Sequence, residues 1–507
     1  MADVMDQGTA AACEAETPAQ PEECAFCGKS LTEVKTLYQG AQAAICNDCV
    51  LAAARHLVTA GERREFKYAH EALSWHFTGL SAEQIVSSSR DFPGHMRADL
   101  QRAVETLHAT PPIRFLGLHD RQRYETLTIA TLSRDGMHAI ALAPLQYKDL
   151  DIGEAEPARC LDNGLWLGLE GDLRYAVVLS MHREHGQEAG IRIEIAVPAG
   201  ERGGAFVQER FRALADAVAA ARSYRGKTLS LERRNLYTGV SSGILVHRLP
   251  PVERAELILP TATLELLDRN VLRFVRTRPA LRALGQSTRK GILLYGPPGT
   301  GKTHTIRYLA SNLVGHTTLI ITAEQVGLLD AYMSLARLLQ PAMVVIEDAD
   351  LIARNREEMG GPCEEILLNK LLNEMDGLRE ESDILFVLTT NRPDQLEAAL
   401  ASRPGRIDQA IEIPLPDEDG RARLVRLYGA GLELPPALVA EAVRRTEGVS
   451  AAFIKELMRR IAQAAIEAGD GRLASSDHVR MALDDMLFTG GRLNAALLGA
   501  TGRAAST

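Results

Sequence analysis

Residues 291–303 read GILLYGPPGTGKT, a short apolar run ending in a glycine-rich loop closed by Lys302 and Thr303. The spacing G-x-x-x-x-G-K-T behind a strand-like stretch is that of a P-loop. Gly296, Gly299 and Gly301 leave room for backbone N–H groups to converge on phosphate oxygens, and the helix starting near Lys302 aims its positive end at the same place. Lys302 can reach the β- and γ-phosphates as a point charge, and the Thr303 hydroxyl can ligate the accompanying magnesium. The ligand class is ATP or GTP. Together with Pro297, Pro298, Thr300 and His304, these residues form the candidate nucleotide-binding set.

Two further stretches fit the same chemistry. In MVVIEDAD, the four apolar residues Met343 to Ile346 read as a buried parallel strand that delivers Glu347 and Asp348 to its C-terminal end. One acid there, Glu347, is placed to hold magnesium; the other, Asp348, is placed to polarise the water attacking the γ-phosphate. The strand DILFVLTT then presents Asn391, a polar tip suited to fixing that water. Glu347, Asp348 and Asn391 are candidate catalytic residues, with Thr303 and Glu347 as magnesium ligands.

A chain of 507 residues predicts about three domains, and its charge of −9 disfavours indiscriminate binding to nucleic acid or anionic membrane. Neither a long uninterrupted apolar run nor a signal-peptide pattern is read, which predicts a cytoplasmic protein. Seven cysteines, four of them in two C-x-x-C pairs, suit a reducing compartment and a metal.

Residues 1–22 read as a disordered leader, rich in Ala, Glu and Pro. In CAFCGKSLTEVKTLYQGAQAAICNDC, residues Cys24, Cys27, Cys46 and Cys49 place two tight knuckles that can turn four thiolates toward one ion. The reading is a closed structural zinc site, whose metal supplies the folding energy of a fragment too small to bury a core. Cys13, Cys160 and Cys363 read as bystanders. The cysteine stretch resembles the N-terminal zinc-binding domain of the ClpX unfoldases, with CAFCGKS, TEV and ICNDCV fitting that pattern. The resemblance implies a module at 23–60 that dimerises and recruits substrates or adaptors.

Residues 61–110 are helical in pattern, with MRADLQRAVETLHA as the clearest case. Residues 111–249 read as an α+β domain of unassigned role, with strand-like TLTIATL, HAIALAP, RYAVVLSM and IRIEIAV and the amphipathic helix FVQERFRALADAVAAARSY. The histidines and acids of HEALSWH and HREHG (His70, Glu71, His182, Glu184, His185) lack the paired histidines of a zinc hydrolase. Arg222, Arg225, Lys227, Arg233 and Arg234 read as a solvated basic face.

From about Pro250 to Leu487 the sequence resembles the AAA+ ATPases, in particular the AAA clade of FtsH-like proteases and segregases. The resemblance rests on LLYGPPGTGKT, VVIEDAD, TTNRPDQLEAALASRPGRID and TEGVSAAFIKEL. It implies an α/β fold, with a P-loop large domain (250–416) of parallel sheet flanked by helices, a helical lid (417–490) and a tail (491–507). It makes Asn391 the sensor-1 position and Arg403 and Arg406 arginine fingers directed at a neighbour's nucleotide. It also implies ATP hydrolysis by a ring, hexameric in that family, coupled to remodelling or unfolding of a protein partner recruited by the N-terminal domains.

Three departures from that pattern stand out. The acid pair reads Glu-Asp where the family has Asp-Glu. The segment ITAEQVGLLDAYMSLARLLQP is short and lacks an aromatic-apolar-glycine pore loop, and Tyr332 within it sits in a helical pattern that suits a core position. The motor lacks the GAR lid signature of ClpX, so zinc module and motor resemble different branches. A nucleotide-switched scaffold with slow hydrolysis, or a nucleic-acid-dependent ATPase acting through the zinc module, are the alternative functions.

Overall fold

A computed structural model describes residues 22–39, 43–53, 65–107, 114–119, 125–184, 187–220, 223–232, 243–354, 373–374, 382–394, 406–469 and 471–486. The cysteine module contains a two-stranded antiparallel ribbon, β1 (Leu37–Gln39) and β2 (Ala44–Cys46). Among its described residues apolar burial is limited to Cys24, Ala44 and Cys46, whereas Phe26, Leu31 and Tyr38 are exposed. So small a core does not hold a fold by itself.

The α+β domain runs through α1 (Ala69–His76), β3 (Ile85–Pro93), α2 (Arg97–Leu107), β4 (Arg114–Leu118), α3 (Ile129–Leu132) and β5 (Leu142–Ala143). The hairpin β6 (Tyr147–Leu150) and β7 (Ala158–Leu161) follows, then β8 (Gly164–Glu170), β9 (Leu173–Glu184), β10 (Gln187–Pro198) and α4 (Glu201–Ala219). Six strands form an antiparallel sheet in the order β3-β10-β9-β8-β4-β5. Period-two alternation decides its faces. Tyr175, Val177, Leu179 and Met181 of β9 meet α2 and α4, while Ala176 and Val178 point to the core under α1 and α3.

Two expectations for this region are corrected. The stretch 61–110 is not continuous helix: Ile85–Pro93 is a strand whose nine residues all pair with β10. Within TLTIATL, residues Ile129–Leu132 are helical, because Thr128 caps the turn by accepting from Thr131 N–H and the buried Glu194 carboxylate accepts from Ile129 N–H at 2.9 Å. His70 and Glu71 lie on α1, where Glu71 accepts the N–H groups of Lys67 and Tyr68 and so caps the helix.

Next come β11 (Thr228–Leu231), β12 (Ile244–His247), α5 (Thr261–Leu267), α6 (Phe274–Ala283), β13 (Lys290–Tyr295), α7 (Lys302–Asn312) and β14 (Thr317–Ile321). The domain continues with α8 (Leu329–Leu338), β15 (Ala342–Ile346), α9 (Ala349–Arg354), β16 (Ile384–Thr390) and β17 (Gln409–Glu412). The seven strands take the order β12-β11-β14-β15-β16-β13-β17, parallel except for β12. Ala342, Val344 and Ile346 face the core beneath α8, and Met343 and Val345 face the core beneath α5 and α7. A strand buried on both faces needs an unbroken apolar run, which AMVVI supplies.

This sheet begins at Thr228, not after Leu249-Pro250-Pro251 as the sequence suggests. The β11–β12 hairpin, assigned by sequence to the preceding domain, extends the sheet because β11 pairs in parallel with β14. The basic cluster is also no solvated face where it is described. Arg225 donates to the carbonyls of Ala219 and Leu338, and Lys227 Nζ donates to those of Ile152 and Ser223. Arg222, Arg233 and Arg234 lie outside the described residues, as do Cys13, His185 and Cys363.

The lid comprises α10 (Glu418–Tyr428), α11 (Pro436–Arg445), α12 (Ala451–Glu467) and α13 (Ser476–Asp484), packed around a core of its own. Among the described residues no helix is long and apolar enough to cross a membrane.

Candidate nucleotide site and zinc centre

The loop between β13 and α7 is shaped by glycine where nothing else fits. A Cβ on Gly296 would lie 2.2 Å from the Ile413 carbonyl oxygen, so the loop passes directly against the chain leaving β17. Gly299 has φ +76°, and a Cβ there would meet the lid, 2.9 Å from Ser450 Oγ and 3.0 Å from the Ala452 methyl. The Ala452 N–H donates to the Gly299 carbonyl at 3.0 Å. Ser450 caps α12 by accepting from Phe453 N–H. The turn of TEGVSAAFIKEL is thereby seated on the P-loop.

Lys302 is 7% exposed, and its ammonium donates to the carbonyls of Gly296 and Pro297, each at 2.8 Å. Burial brings it down to about 8, with the carboxylates of Asp348 and Asp350 opposing that shift. The Thr303 hydroxyl donates to Glu347 Oε1 at 3.0 Å. His304 makes a ring-nitrogen contact of 3.2 Å with the Glu256 carbonyl and so faces the segment preceding α5.

At the tip of β15 the Glu347 N–H donates to the Ile321 carbonyl. Asp348 has φ +49°, a left-handed conformation that Asp adopts more readily than most residues. Its N–H donates to Thr389 Oγ1 at 3.0 Å, and its Oδ1 accepts from Asn391 Nδ2 at 3.1 Å. Asp350 is the residue that the sequence reading passed over. It is 3% exposed and accepts from Thr390 Oγ1 at 2.9 Å and from Asn391 N–H at 3.3 Å. A buried carboxylate three residues after Glu347 clamps the strand tip that carries Asn391. Its signal in the sequence is an acid spaced one residue beyond the pair.

Asp408, also unremarked in the sequence, anchors the end of the RPGRID stretch. Its Oδ2 accepts the Gly291 N–H at 2.7 Å, and its own N–H donates to the Gly291 carbonyl at 2.8 Å. Arg406 lies at a bend two residues earlier. Arg403 lies outside the described residues.

Thr303, Glu347, Asp348 and Asn391 thus converge beside Lys302 at the C-terminal ends of β13, β15 and β16. This set fits magnesium and a polyphosphate: a hydroxyl and a longer carboxylate for the ion, an amine for the phosphates, and an acid–amide pair that can hold a water. The family model "ATPase family associated with various cellular activities (AAA)" matches residues 292–415. The chain carries an AAA ATPase domain.

Curated relatives agree over this part of the molecule. The chain is 34% identical over 221 residues to the ATP-dependent zinc metalloprotease FtsH 2 of Symbiobacterium thermophilum, covering 41% of this chain and 37% of that protein. It is 32% identical over 209 residues to 26S proteasome regulatory subunit 10B of Dictyostelium discoideum, covering 39% and 53%. It is 36% identical over 186 residues to the proteasome-activating nucleotidase of Methanothermobacter thermautotrophicus, covering 34% and 45%. The chain spans about half, or less, of the length of these relatives.

A second centre lies in the N-terminal module, where the model for the ClpX C4-type zinc finger matches residues 22–58. The sulfur atoms of Cys24, Cys27, Cys46 and Cys49 all lie within 4.8 Å of one another. The first knuckle is closed by Gly28 N–H to Cys24 carbonyl and by Cys24 N–H to Lys29 carbonyl, with Gly28 at φ +73°. Burial pushes the Cys24 thiol up, and the N–H groups of Cys46, Phe26 and Cys27 more than offset it, leaving it at about 6. Four converging thiols with backbone donors around one of them fit zinc.

Proposed function

We propose that this chain is a magnesium-dependent ATP hydrolase that acts as a ring, with the hexamer as its assembly, and remodels a protein partner recruited by the zinc module and the α+β domain. The observation that carries the reading is the convergence of Thr303, Glu347, Asp348 and Asn391 on one side of the P-loop. Magnesium, when bound, would supply Lewis-acid neutralisation of the charge developing on the phosphates. Lys302 binds the β- and γ-phosphates, Thr303 and Glu347 hold the ion, Asp348 takes up the water's proton as it attacks, and Asn391 keeps that water in line. The loop N–H groups and the start of α7 orient the phosphates. Asp350 holds Asn391 in place. Arg403 and Arg406 are proposed to reach the neighbouring subunit's nucleotide.

A second reading, a nucleotide-switched scaffold with slow hydrolysis, draws on one observation. Tyr332, the aromatic side chain in the segment where a threading motor needs a pore loop, is fully buried. Nucleic-acid dependence is disfavoured by the net charge of −9. Steady-state turnover alone and with unfolded protein, single-stranded DNA or RNA separates the three. Stimulation by unfolded protein is expected; slow turnover indifferent to all three would favour the scaffold, and stimulation by nucleic acid alone would contradict remodelling of protein.

A further inference from the structure

β11 and β14 share only two rungs, Thr228 with Thr318 and Leu229 with Leu319. Past them a side chain replaces the ladder. The Tyr332 hydroxyl accepts the Leu231 N–H at 2.7 Å and lies 3.0 Å from both the Ile320 carbonyl and Gln325 Oε1, either of which can take its proton. Gln325 Nε2 donates to the Leu231 carbonyl at 2.8 Å. Both backbone groups of Leu231 are therefore satisfied by side chains from the segment between β14 and β15. Tyr332 is fully buried, and burial pushes its phenol up to about 12, so it stays a neutral hydroxyl able to accept and donate at once.

This junction has the acid pair on one side and another domain on the other. The residue after Ile320, Ile321, accepts the Glu347 N–H at 3.0 Å. On the far side the β6–β7 hairpin of the α+β domain sits on β11 and β12: Leu150, Ile152 and Cys160 are buried in one core with Leu229, Leu231 and Val246. Arg248 donates to both oxygens of Asp151, at 2.9 and 2.7 Å. Gly153, at φ +79°, passes so near that a Cβ on it would lie 2.6 Å from Val246 Cγ1.

We propose that Tyr332 and Gln325 are positioning residues for Glu347, and that through them the docking of the α+β domain on β11–β12 sets how Glu347 meets magnesium. Buried backbone groups tolerate few geometries once their partners are fixed, so a shift of β11 must move the end of β14 or break these bonds. The end of β14 in turn holds the backbone of Glu347. The segment between β14 and β15 thus braces β14 against β11, the strand on which the α+β domain docks. The inference rests on the proposed magnesium role of Glu347.

The test uses the full chain carrying Tyr332→Phe, Gln325→Ala, or Gly153→Ala, the last a wedge against Val246 in the docked interface. Binding of a fluorescent ATP analogue is titrated with manganese, whose own paramagnetic signal reports occupancy. The expected result is a manganese midpoint raised roughly tenfold in each variant, as for loss of an outer partner of a metal ligand, with metal-free nucleotide affinity unchanged. Tyr332→Phe combined with Gly153→Ala should do no more than the larger single change, because both act through one element. An unchanged midpoint in folded Tyr332→Phe and Gln325→Ala overturns the positioning role; should the former not fold, Gln325→Ala, which keeps the tyrosine, decides alone. A shift in those two without one in Gly153→Ala overturns the link to the docked domain. A wild-type chain whose nucleotide binding ignores the metal would overturn the proposed function itself.

Discussion

The side-chain amide of Asn391 donates to Asp348 Oδ1 at 3.1 Å, joining the residues that follow two adjacent parallel strands, β16 and β15. An amide and a carboxylate at this separation can hold one water between them and the phosphate chain. Asn391→Ala should lower the ATP turnover number by roughly 10- to 1000-fold, as for loss of one preorganised donor, while leaving ATP affinity within about twofold. Asp350→Ala should follow it, and Asp350→Asn, which can still accept from Thr390 and Asn391, should recover much of the loss. Turnover and equilibrium binding measured together on each variant check this. Equal losses in Asp350→Ala and Asp350→Asn would show that the negative charge matters more than the clamp.

Lys302 carries a pH dependence whose sign can be worked out. Burial holds its ammonium near 8, below the ordinary lysine value, and nearby phosphates favour the charged form. Nucleotide binding therefore takes up a proton above that pH, and affinity should fall by up to about tenfold per pH unit from pH 8 upward. For folding of the nucleotide-free chain the sign is reversed: the unfolded lysine keeps its proton longer, so stability from this group rises between pH 8 and the ordinary lysine value. Calorimetric titration with ATP at pH 7.5 and 9.5, for wild type and Lys302→Met, is the check. Wild type should weaken at the higher pH, and the variant should bind poorly at both.

The zinc module should hold one ion per chain and depend on it for its fold, since its buried apolar residues are so few. Zinc binding in comparably small modules is worth on the order of 10 kcal/mol, more than such a core can supply. Cys24→Ser with Cys27→Ser should abolish zinc in metal analysis and collapse the amide NMR dispersion of the module. ATP turnover of the full chain should stay within about twofold. Loss of turnover along with the zinc would show that the two centres are not independent.

Catalysis between subunits is a separate prediction, drawn from the resemblance at Arg403 and Arg406. A trans arginine is worth about 10³ to 10⁵ in rate in related phosphoryl transfers. Lys302→Ala and the double variant Arg403→Ala, Arg406→Ala should each be inactive alone. Mixed in one ring, they create interfaces with an intact P-loop on one side and intact arginines on the other, so part of the turnover should return. Mixed assemblies, established by mass, that stay inactive would rule the trans arrangement out.

The chemistry of this molecule was more legible in the sequence than its architecture. Lys302, Thr303, Glu347 and Asn391, which the structure brings together, stand out in the sequence because phosphate and metal chemistry restrict residue type and spacing, and so do the four converging cysteines. Strand β15 was legible because burial on both faces demands an apolar run. The sequence places the β11–β12 hairpin on the wrong side of a boundary: its pairing with β14 is non-local, and the proline pair after it reads as punctuation whichever sheet it joins. Ile85–Pro93 escaped notice as a strand because three consecutive serines hide its alternation, and β10 supplies the pairing from a hundred residues away. Helix α3 looks like strand in the sequence because Glu194, which satisfies its first N–H, is remote in sequence. Asp350 lay in plain view beside the acid pair, but its partners Thr390 and the Asn391 backbone become visible only when β15 and β16 lie side by side.

The most direct test of the account is to measure ATP bound and ATP hydrolysed per chain, at saturating magnesium, for wild type, Asp348→Asn and Glu347→Gln. Wild type should bind and turn over ATP. Asp348→Asn should bind one ATP per chain with affinity within about threefold and lose turnover by roughly a hundredfold or more. Glu347→Gln should chiefly raise the magnesium concentration needed for half-maximal activity. Hydrolysis by Asp348→Asn at the wild-type rate, or a wild-type chain that binds no ATP, would contradict it.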